Sequence, residues 1–258
     1  LNLLSLAILI PYLFQVGYST YADRFGYRGF RGFFYSGNDI TAIMMTLLPL
    51  CICFFMQLPR GTSRKRLIPY ATAPAFTLVA MCLIGTKTAF IGVGAAVAAP
   101  FVFALVEFFR KKDRTLLVRL AIILVIFGLT LGCLMLFASA NVLSMISESL
   151  QAAGDISERE GAATALLSGR QDKLKRAFDQ YRDGGLYCIL FGLGRGTQQY
   201  VIEMDVFEIV IYYGLFGAVA LLWLYLKLGV QFLINLFRRF DLMGLCIAVA
   251  LALCAGYL

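Results

Sequence analysis

Three carboxylates lie close together in the chain at the start of a long apolar stretch: Glu203, Asp205 and Glu208. The chain contains no histidine. Imidazole acid–base catalysis and imidazole metal ligation are therefore excluded, and a general base has to be a carboxylate or another polar group. Asp205 and Glu208 share a helix face. Asp205 also suits the positive end of a helix dipole, so a catalytic and a purely structural interpretation of it both stay open.

Three cations form the second group of candidates. Lys87 lies between two apolar stretches, Arg170 begins a polar segment, and Arg195 stands between two glycines. Lys87 is predicted to lie on the side of the membrane opposite the main basic loops, against the charge rule for short loops, which indicates an anionic ligand there. The alternatives are that Lys87 extends its ammonium group to the membrane interface, and that the glycines around Arg195 only form a bend.

The composition predicts the elements that must position these residues. The chain has 258 residues, 60% apolar and 15% charged, whereas soluble domains are ~45–50% apolar and ~25% charged. A helix needs ~20 apolar residues to cross a hydrocarbon core ~30 Å thick. Seven stretches meet or nearly meet that length, which predicts an all-α, polytopic transmembrane helix bundle: 1–18, 40–58, 67–84, 90–109, 116–138, 206–225 and 242–258. Since both ends lie inside apolar stretches, we expect an excerpt of a longer membrane protein, truncated at both ends.

Basic residues in short loops predict the orientation of the bundle. Alternate spanning puts three short loops on one side, and an excess of Lys and Arg marks that side as the cytoplasm. These loops hold twelve of the 23 basic residues, at positions 60, 64–66, 110–112, 114, 119, 227, 238 and 239. The predicted organisation is transmembrane helices one to five over 1–138, an extracytoplasmic loop over 139–205, and helices six and seven over 206–258. The net charge of +8 reflects these loops, so no nucleic-acid partner is predicted.

The long loop contains an amphipathic pattern. From Ser168, the predicted N-cap, apolar residues recur at helical spacing at Leu174, Ala177, Phe178 and Tyr181, which predicts a helix lying along the membrane surface. The first outer loop adds arginines interleaved with aromatic residues, which either line a ligand groove or sit among lipid headgroups: Arg24, Arg28 and Arg31.

Two spaced motifs carry a family resemblance. Arg170 and Leu174 form an R-x3-L element, and Gly214 and Gly217 fit the glycines of the pattern H-[NSQ]-x9-G-x2-[GTY], with Glu203 at the histidine position. In this order the motifs resemble the superfamily of bacterial O-antigen ligases and polysaccharide polymerases, which are membrane glycosyltransferases.

Earlier landmarks extend the resemblance. Thr86-Lys87 is similar to the basic residue, commonly Ser-Arg, that ends an earlier helix in that family, and Asn38 and Pro49 resemble its first outer loop and helix. Two departures stand out, because Glu203 replaces the histidine and Lys87 replaces the usual arginine. The acidic replacement is more similar to polymerases of capsular or secreted polysaccharides.

The resemblance implies a reaction and its partners. A glycan moves from an undecaprenyl-pyrophosphate-linked oligosaccharide to the hydroxyl of a glycan acceptor, on the outer face of the bacterial cell membrane and in contact with membrane lipid. Lys87, Arg170 and Arg195 are then the expected pyrophosphate-binding residues. Arg170, Glu203 and Asp205 are the expected catalytic residues, with Glu203 as the first candidate for the base. No metal ion or other cofactor is expected.

Three functions are consistent with these features. A polymerase joins repeat units of capsule, exopolysaccharide or O-antigen, and is our first interpretation. A ligase, which transfers the finished glycan to an acceptor, is the main alternative. A flippase for lipid-linked sugars is a third, although transporters typically have paired interrupted helices, whereas the polar residues here concentrate in one outer segment.

Overall fold

Helices make up most of the part of the chain that the structure describes. The computed structural model describes residues 1–20, 29–59, 61–112, 114–137, 170–194, 205–238 and 241–257. Within these ranges there is no strand beyond one isolated bridge between Ser19 and Phe30, which confirms the predicted all-α class. The helices are α1 Asn2–Leu13, α2 Gly37–Met56, α3 Arg64–Ile84, α4 Lys87–Lys111, α5 Thr115–Phe137, α6 Arg170–Asp183, α7 Gly185–Phe191, α8 Asp205–Arg238 and α9 Leu242–Tyr257.

Most of these helices are long and apolar enough to cross a membrane. Among the described residues five meet that standard, namely α2, α3, α4, α5 and α8, and the shorter α1 and α9 are also apolar. Each of the seven predicted apolar stretches thus contains one helix, and the multi-pass bundle is confirmed. Seven complete spans stay a prediction, as do the long extracytoplasmic loop and the three-part domain division. The structure differs in length for α8, which continues to Arg238, well beyond the predicted end at 225.

The chain forms two compact units. Unit 1 comprises Leu1–Ala152 and Phe240–Gly256 and contains α1 to α5 and α9. Within it α3 packs against α1, α2, α4 and α5, and α2 also packs against α4. Its core consists of large side chains that are fully buried, among them Met44, Leu48, Ile52, Phe55, Leu78 and Met81.

The alternating helix directions give unit 1 two ends. At the Lys87 end, α2 and α4 begin while α1 and α3 finish. At the Arg119 end, α1, α3 and α5 begin while α2 and α4 finish. Asn2 Nδ2 donates to the Pro69 carbonyl at 2.9 Å, which ties α1 to α3 near the Arg119 end.

Small residues allow the helices of unit 1 to approach closely. A Cβ on Gly92 of α4 would stand 2.7 Å from Met45 Cβ of α2, so a larger residue would push these helices apart. The hydroxyls of Ser5 and Thr77 form a buried hydrogen bond of 2.9 Å between α1 and α3. Small residues and hydroxyl pairs of this kind stabilise helix contacts inside membranes, where lipid chains are as apolar as the helix surfaces.

Unit 2 comprises Ala153–Arg239 and Tyr257–Leu258, and its described helices are α6, α7 and α8. Its small core joins two residues of α6 to two of α8, and Leu174, Leu193 and Val210 pack against it. The four core residues are Ala177, Tyr181, Ile211 and Tyr212.

Candidate functional site

Lys87 is the first residue of α4, and the residue before it fixes where that helix begins. Thr86 is the N-cap, and its Oγ1 accepts a hydrogen bond from the backbone N–H of Ala89 at 3.2 Å. Thr88 Oγ1 also donates to Thr86 Oγ1 at 3.3 Å. Thr86 is only 1% exposed, so a buried side chain fixes the start of the helix whose first residue is Lys87.

The same hydroxyl joins α4 to α2. Thr86 Oγ1 lies 3.2 Å from Thr41 Oγ1. Thr41 donates its own hydrogen to the carbonyl of Gly37 at 2.7 Å, so Thr86 is the donor in the pair. The first turns of α2 and α4 are therefore fixed side by side at the Lys87 end.

The segment around Gly29 closes the end of α3. Thr20 Oγ1 donates to the carbonyl of Ile84 at 2.8 Å, and the N–H of Phe30 donates to the carbonyl of Leu83 at 2.7 Å. The last carbonyls of a helix have no intrahelical partner, and these bonds satisfy two of them. Gly29 adopts φ +67°, and a Cβ there would collide with the Ile84 carbonyl, so this close approach requires glycine.

Arg31 lies beside the same end. Its guanidinium group stands 5.9 Å from the centroid of the Tyr18 ring, a cation–π contact. Its Nε is buried and has no hydrogen-bond partner among the described residues. Two neighbouring aromatic residues differ in exposure. The Phe30 ring packs edge-on against the Tyr12 ring with centroids 5.2 Å apart, whereas Phe33 is 61% exposed.

In unit 2 the central feature is an interruption of α8. Gly214 has φ 65° and ψ −171°, a region that is essentially restricted to glycine. The N–H groups of Leu193 and Gly194 donate to the carbonyls of Ile211 and Tyr212 at 2.9 and 3.1 Å. These two N–H groups take the place of the intrahelical donors that the carbonyls just before the interruption lack. Buried backbone polar groups need such hydrogen-bond partners.

A second glycine makes this contact possible. A Cβ on Gly192 would collide with the carbonyl of Tyr212, and a Cβ on Gly214 would collide with the carbonyl of Leu190. The turn after α7 and the interruption of α8 therefore fit each other only because both positions lack a side chain. Rings also meet beside this contact, since Phe191 and Phe216 have centroids 5.6 Å apart.

Tyr181 links the amphipathic helix to α7. Its hydroxyl donates to the carbonyl of Ile189 at 2.7 Å, and its side chain is 7% exposed. Burial is the main cause that raises the pKa of the Tyr181 hydroxyl above its ordinary value, and the nearby Cys188 thiol adds to it. Tyr181 is therefore a neutral hydrogen-bond donor that joins α6 and α7.

The amphipathic pattern predicted in this region corresponds to α6. Ala177 and Tyr181 are buried, and Leu174 packs beside them. Phe178 is an exception, because it is 51% exposed. Its ring lies against Tyr181 with centroids 6.1 Å apart. Ser168, the predicted N-cap, lies outside the described residues.

The predicted site residues are distributed over both units. Lys87 begins α4 in unit 1, and Arg170 and Asp205 begin α6 and α8 in unit 2. Arg195 and Glu203 lie outside the described residues, as do Arg24 and Arg28. Among the residues with described positions, no group of three or more Cys, Asp or Glu side chains could hold a metal ion.

Comparison with known proteins shows the family of the chain. No curated protein matches it. No solved structure matches it either. The model of a family described as O-antigen ligase like membrane protein matches residues 1–155, which is more than half of the 258 residues. The matched part includes Asn38, Pro49 and Lys87 but neither Arg170 nor Gly214. The chain therefore belongs to the O-antigen ligase-like family of membrane proteins.

Proposed function

We propose that this chain is a membrane glycosyltransferase that polymerises a cell-surface polysaccharide from undecaprenyl-pyrophosphate-linked oligosaccharide units on the outer face of the bacterial cell membrane. The family match over residues 1–155 carries the proposal, since it indicates a membrane enzyme that processes glycans. The capsule, exopolysaccharide or O-antigen product and the lipid carrier are the finer parts of the proposal.

The proposed reaction is a direct displacement. The oxygen of the acceptor hydroxyl forms a bond to the anomeric carbon while the bond from that carbon to the pyrophosphate oxygen breaks. The pyrophosphate leaves with the electron pair, and the hydroxyl proton passes to a carboxylate. We assign this base to Glu203, with Asp205 as the second candidate. Attack from the face opposite the leaving group inverts the anomeric configuration.

The leaving pyrophosphate requires positive charge where its negative charge develops. Lys87 supplies an ammonium group at the N-terminus of α4, where the helix dipole is also positive. The buried Thr86 cap supports this assignment, because it holds that helix start in one place. Arg170 begins α6, and its guanidinium is the group suited to bidentate phosphate binding.

The positions of the residues that flank Arg195 and Glu203 in the sequence support roles for these two residues. Residues 195–204 connect Gly194 to Asp205. The N–H of Gly194 donates a hydrogen bond to the carbonyl of Tyr212. Tyr212 lies seven residues along α8 from Asp205, which is about 10 Å along the helix axis. The described residues that flank this segment, Gly194 and Asp205, therefore both have fixed positions on α8. A cation next to one end and a carboxylate next to the other suit a site that must hold a phosphate close to a base.

A polymerase, a ligase and a flippase act differently on lipid-linked repeat units. The test uses the full-length protein purified in detergent with mass-labelled undecaprenyl-pyrophosphate-linked repeat units and no other acceptor. A polymerase converts them into a ladder of longer lipid-linked glycans and releases undecaprenyl pyrophosphate. Conversion in detergent requires no second compartment, so it also excludes a pure flippase.

The expected result is the ladder. Unchanged repeat units would contradict the polymerase proposal, and transfer only after a finished polymer and its anchor are supplied would identify a ligase. In cells the same distinction appears in the intermediates. Loss of a polymerase leaves single lipid-linked repeat units, whereas loss of a ligase leaves full-length lipid-linked polymer.

A further inference from the structure

A cavity of about 450 Å³ opens at the Arg119 end of unit 1, between the end of α2, the start of α3 and the start of α5. Its volume falls in the range of small-molecule sites, roughly 300–1,000 Å³. It lies at the opposite end of the helices from Lys87, and nothing in the proposed glycan chemistry uses it. Its lining combines cations and hydroxyls with apolar side chains, and the ones that matter are Arg114, Arg119, Thr62, Thr115, Val118 and Ile122.

The polar part of the cavity is suited to a phosphate. Arg119 Nη1 donates to the carbonyl of Met56, which fixes this guanidinium against the end of α2. The Arg114 guanidinium stands 5.9 Å from the centroid of the Phe108 ring. Guanidinium groups bind phosphate oxygens in a bidentate manner. Two of them in the lining of one cavity favour a ligand with several phosphate oxygens.

The charge around the cavity favours an anionic ligand over a zwitterionic one. The sequence segments that contain many of the lining residues, 60–66 and 110–119, include nine basic residues and one acidic residue, Asp113. Glu107, the next carboxylate along the chain, is paired with Lys111 at 2.7 Å. These segments therefore carry a net positive charge, which a lipid headgroup with a net negative charge would neutralise.

The apolar part of the cavity continues along α5. Val118 and Ile122 line the cavity, and Val125 and Leu129 follow at helical spacing on the same face. All four are exposed, at 55%, 36%, 59% and 65%. A ligand with its phosphate between the arginines can therefore lay a hydrocarbon chain along this face without leaving apolar surroundings. This continuity selects a lipid over a free phosphate or a nucleotide.

We propose that this cavity binds the headgroup phosphate of an anionic phospholipid, with one acyl chain along the Val118–Leu129 face of α5. The charge distribution predicts that this end faces the cytoplasm, where the membrane surface is negatively charged. The site is independent of the glycosyl transfer proposed above, so the two proposals fail separately.

The test is lipid binding to the purified, delipidated full-length protein, measured by native mass spectrometry. The probes are dioleoylphosphatidylglycerol, dioleoylphosphatidylcholine and glycerol phosphate, which has the phosphate but no acyl chain. We expect phosphatidylglycerol to bind most tightly, and Arg114→Gln and Arg119→Gln each to weaken it at least about tenfold, because each variant loses a charge-assisted hydrogen bond to the phosphate. The matched control is Lys65→Gln, which removes an equal charge at the same end but outside the cavity lining, and should change binding less than about twofold.

Three results would overturn the proposal: equal binding of phosphatidylcholine, equal binding of glycerol phosphate, or a loss in Lys65→Gln as large as in the arginine variants. The last would show that only diffuse charge attracts the lipid. Arg119 also holds the end of α2, so Arg119→Gln can lower the Tm of the protein. Arg114 donates no hydrogen bond to another described residue, and Arg114→Gln therefore decides the test if the Arg119 variant is unstable.

Discussion

The hydroxyl groups of Thr41 and Thr86 lie 3.2 Å apart, buried between the first turns of α2 and α4. Thr86 also caps α4, so one side chain both begins the helix and sets its position against its neighbour. Lys87 comes directly after it. The backbone position of Lys87 therefore depends on a hydrogen-bond network in the interior of unit 1.

Thr86→Ala is expected to weaken this arrangement. Losing the cap costs about 1 kcal/mol, which lowers the Tm of the detergent-solubilised protein by about 2–4 °C. The rate of glycan transfer should fall more than the stability suggests, because Lys87 loses its fixed helix start. Thr86→Ser keeps a hydroxyl and should be close to the parent in both thermal unfolding and transfer rate. An alanine variant with unchanged Tm and rate would show that the network does not position Lys87.

Gly214→Ala tests the interruption of α8. An alanine at φ 65°, ψ −171° is strained by about 1–3 kcal/mol, and its Cβ would collide with the carbonyl of Leu190. We expect a markedly lower Tm and loss of transfer activity, because the turn that leads to Arg195 can no longer pack on α8. The measurement is thermal unfolding in detergent together with the transfer assay.

The same helix offers a control for that variant. Gly229 also lies in α8, and a Cβ there meets nothing within 4 Å. Gly229→Ala should leave Tm and activity unchanged or raise the Tm slightly, since alanine favours helix more than glycine does. If Gly229→Ala were as damaging as Gly214→Ala, the effect would reflect a general intolerance of α8 to alanine and not the interruption.

The sequence predicts the helices of this protein well because apolar length is a strong signal in a membrane protein. All seven apolar stretches contain a helix. The pattern that puts Ala177 and Tyr181 on one face of α6 also predicts their burial. The end of α8 was predicted too early, at 225, because the charge of Lys227 interrupts the apolar run although the backbone stays helical to Arg238.

The details that organise the candidate site were not predicted. Gly214 matches a family motif, but nothing in the sequence indicates that its φ is positive or that Gly192 packs against it. That contact is between residues far apart in the chain, and local spacing does not report it. The role of Thr86 had a signal, since threonine before a helix is a typical N-cap. Its bond to Thr41 depends on how α2 and α4 pack, which only the fold reveals.

Tyr181 predicts a pH dependence of stability. Burial raises the pKa of its hydroxyl in the folded protein, so the folded state holds this proton more tightly than the unfolded state does. The hydroxyl therefore makes its full contribution to the free energy of unfolding below the ordinary tyrosine pKa of about 10. That contribution is lost as the pH rises above this value and through the higher pKa of the folded state.

Tyr181→Phe separates this effect from other alkaline titrations. The variant loses the hydrogen bond to the Ile189 carbonyl and should be about 1 kcal/mol less stable at pH 8, and the difference from the parent should shrink as the pH rises above about 10. Thermal unfolding at a series of pH values measures it. A difference that stays constant over the whole range would mean that the Tyr181 hydroxyl does not titrate differently in the two states.

Arg170→Ala and Glu203→Gln test the two sides of the proposed reaction. Without the guanidinium, charge on the departing pyrophosphate is poorly neutralised. Without the carboxylate, the acceptor hydroxyl keeps its proton, and general-base catalysis of this kind contributes about 10²–10⁴-fold. We expect each variant to reach the membrane in normal amounts but to form no detectable polymer. Arg182→Ala and Asp179→Asn make the same changes of charge at side chains of α6 that are 69% and 50% exposed, and should polymerise normally. If Arg170→Ala and Glu203→Gln gave polymer of near-normal length and yield, neither residue would belong to the active site.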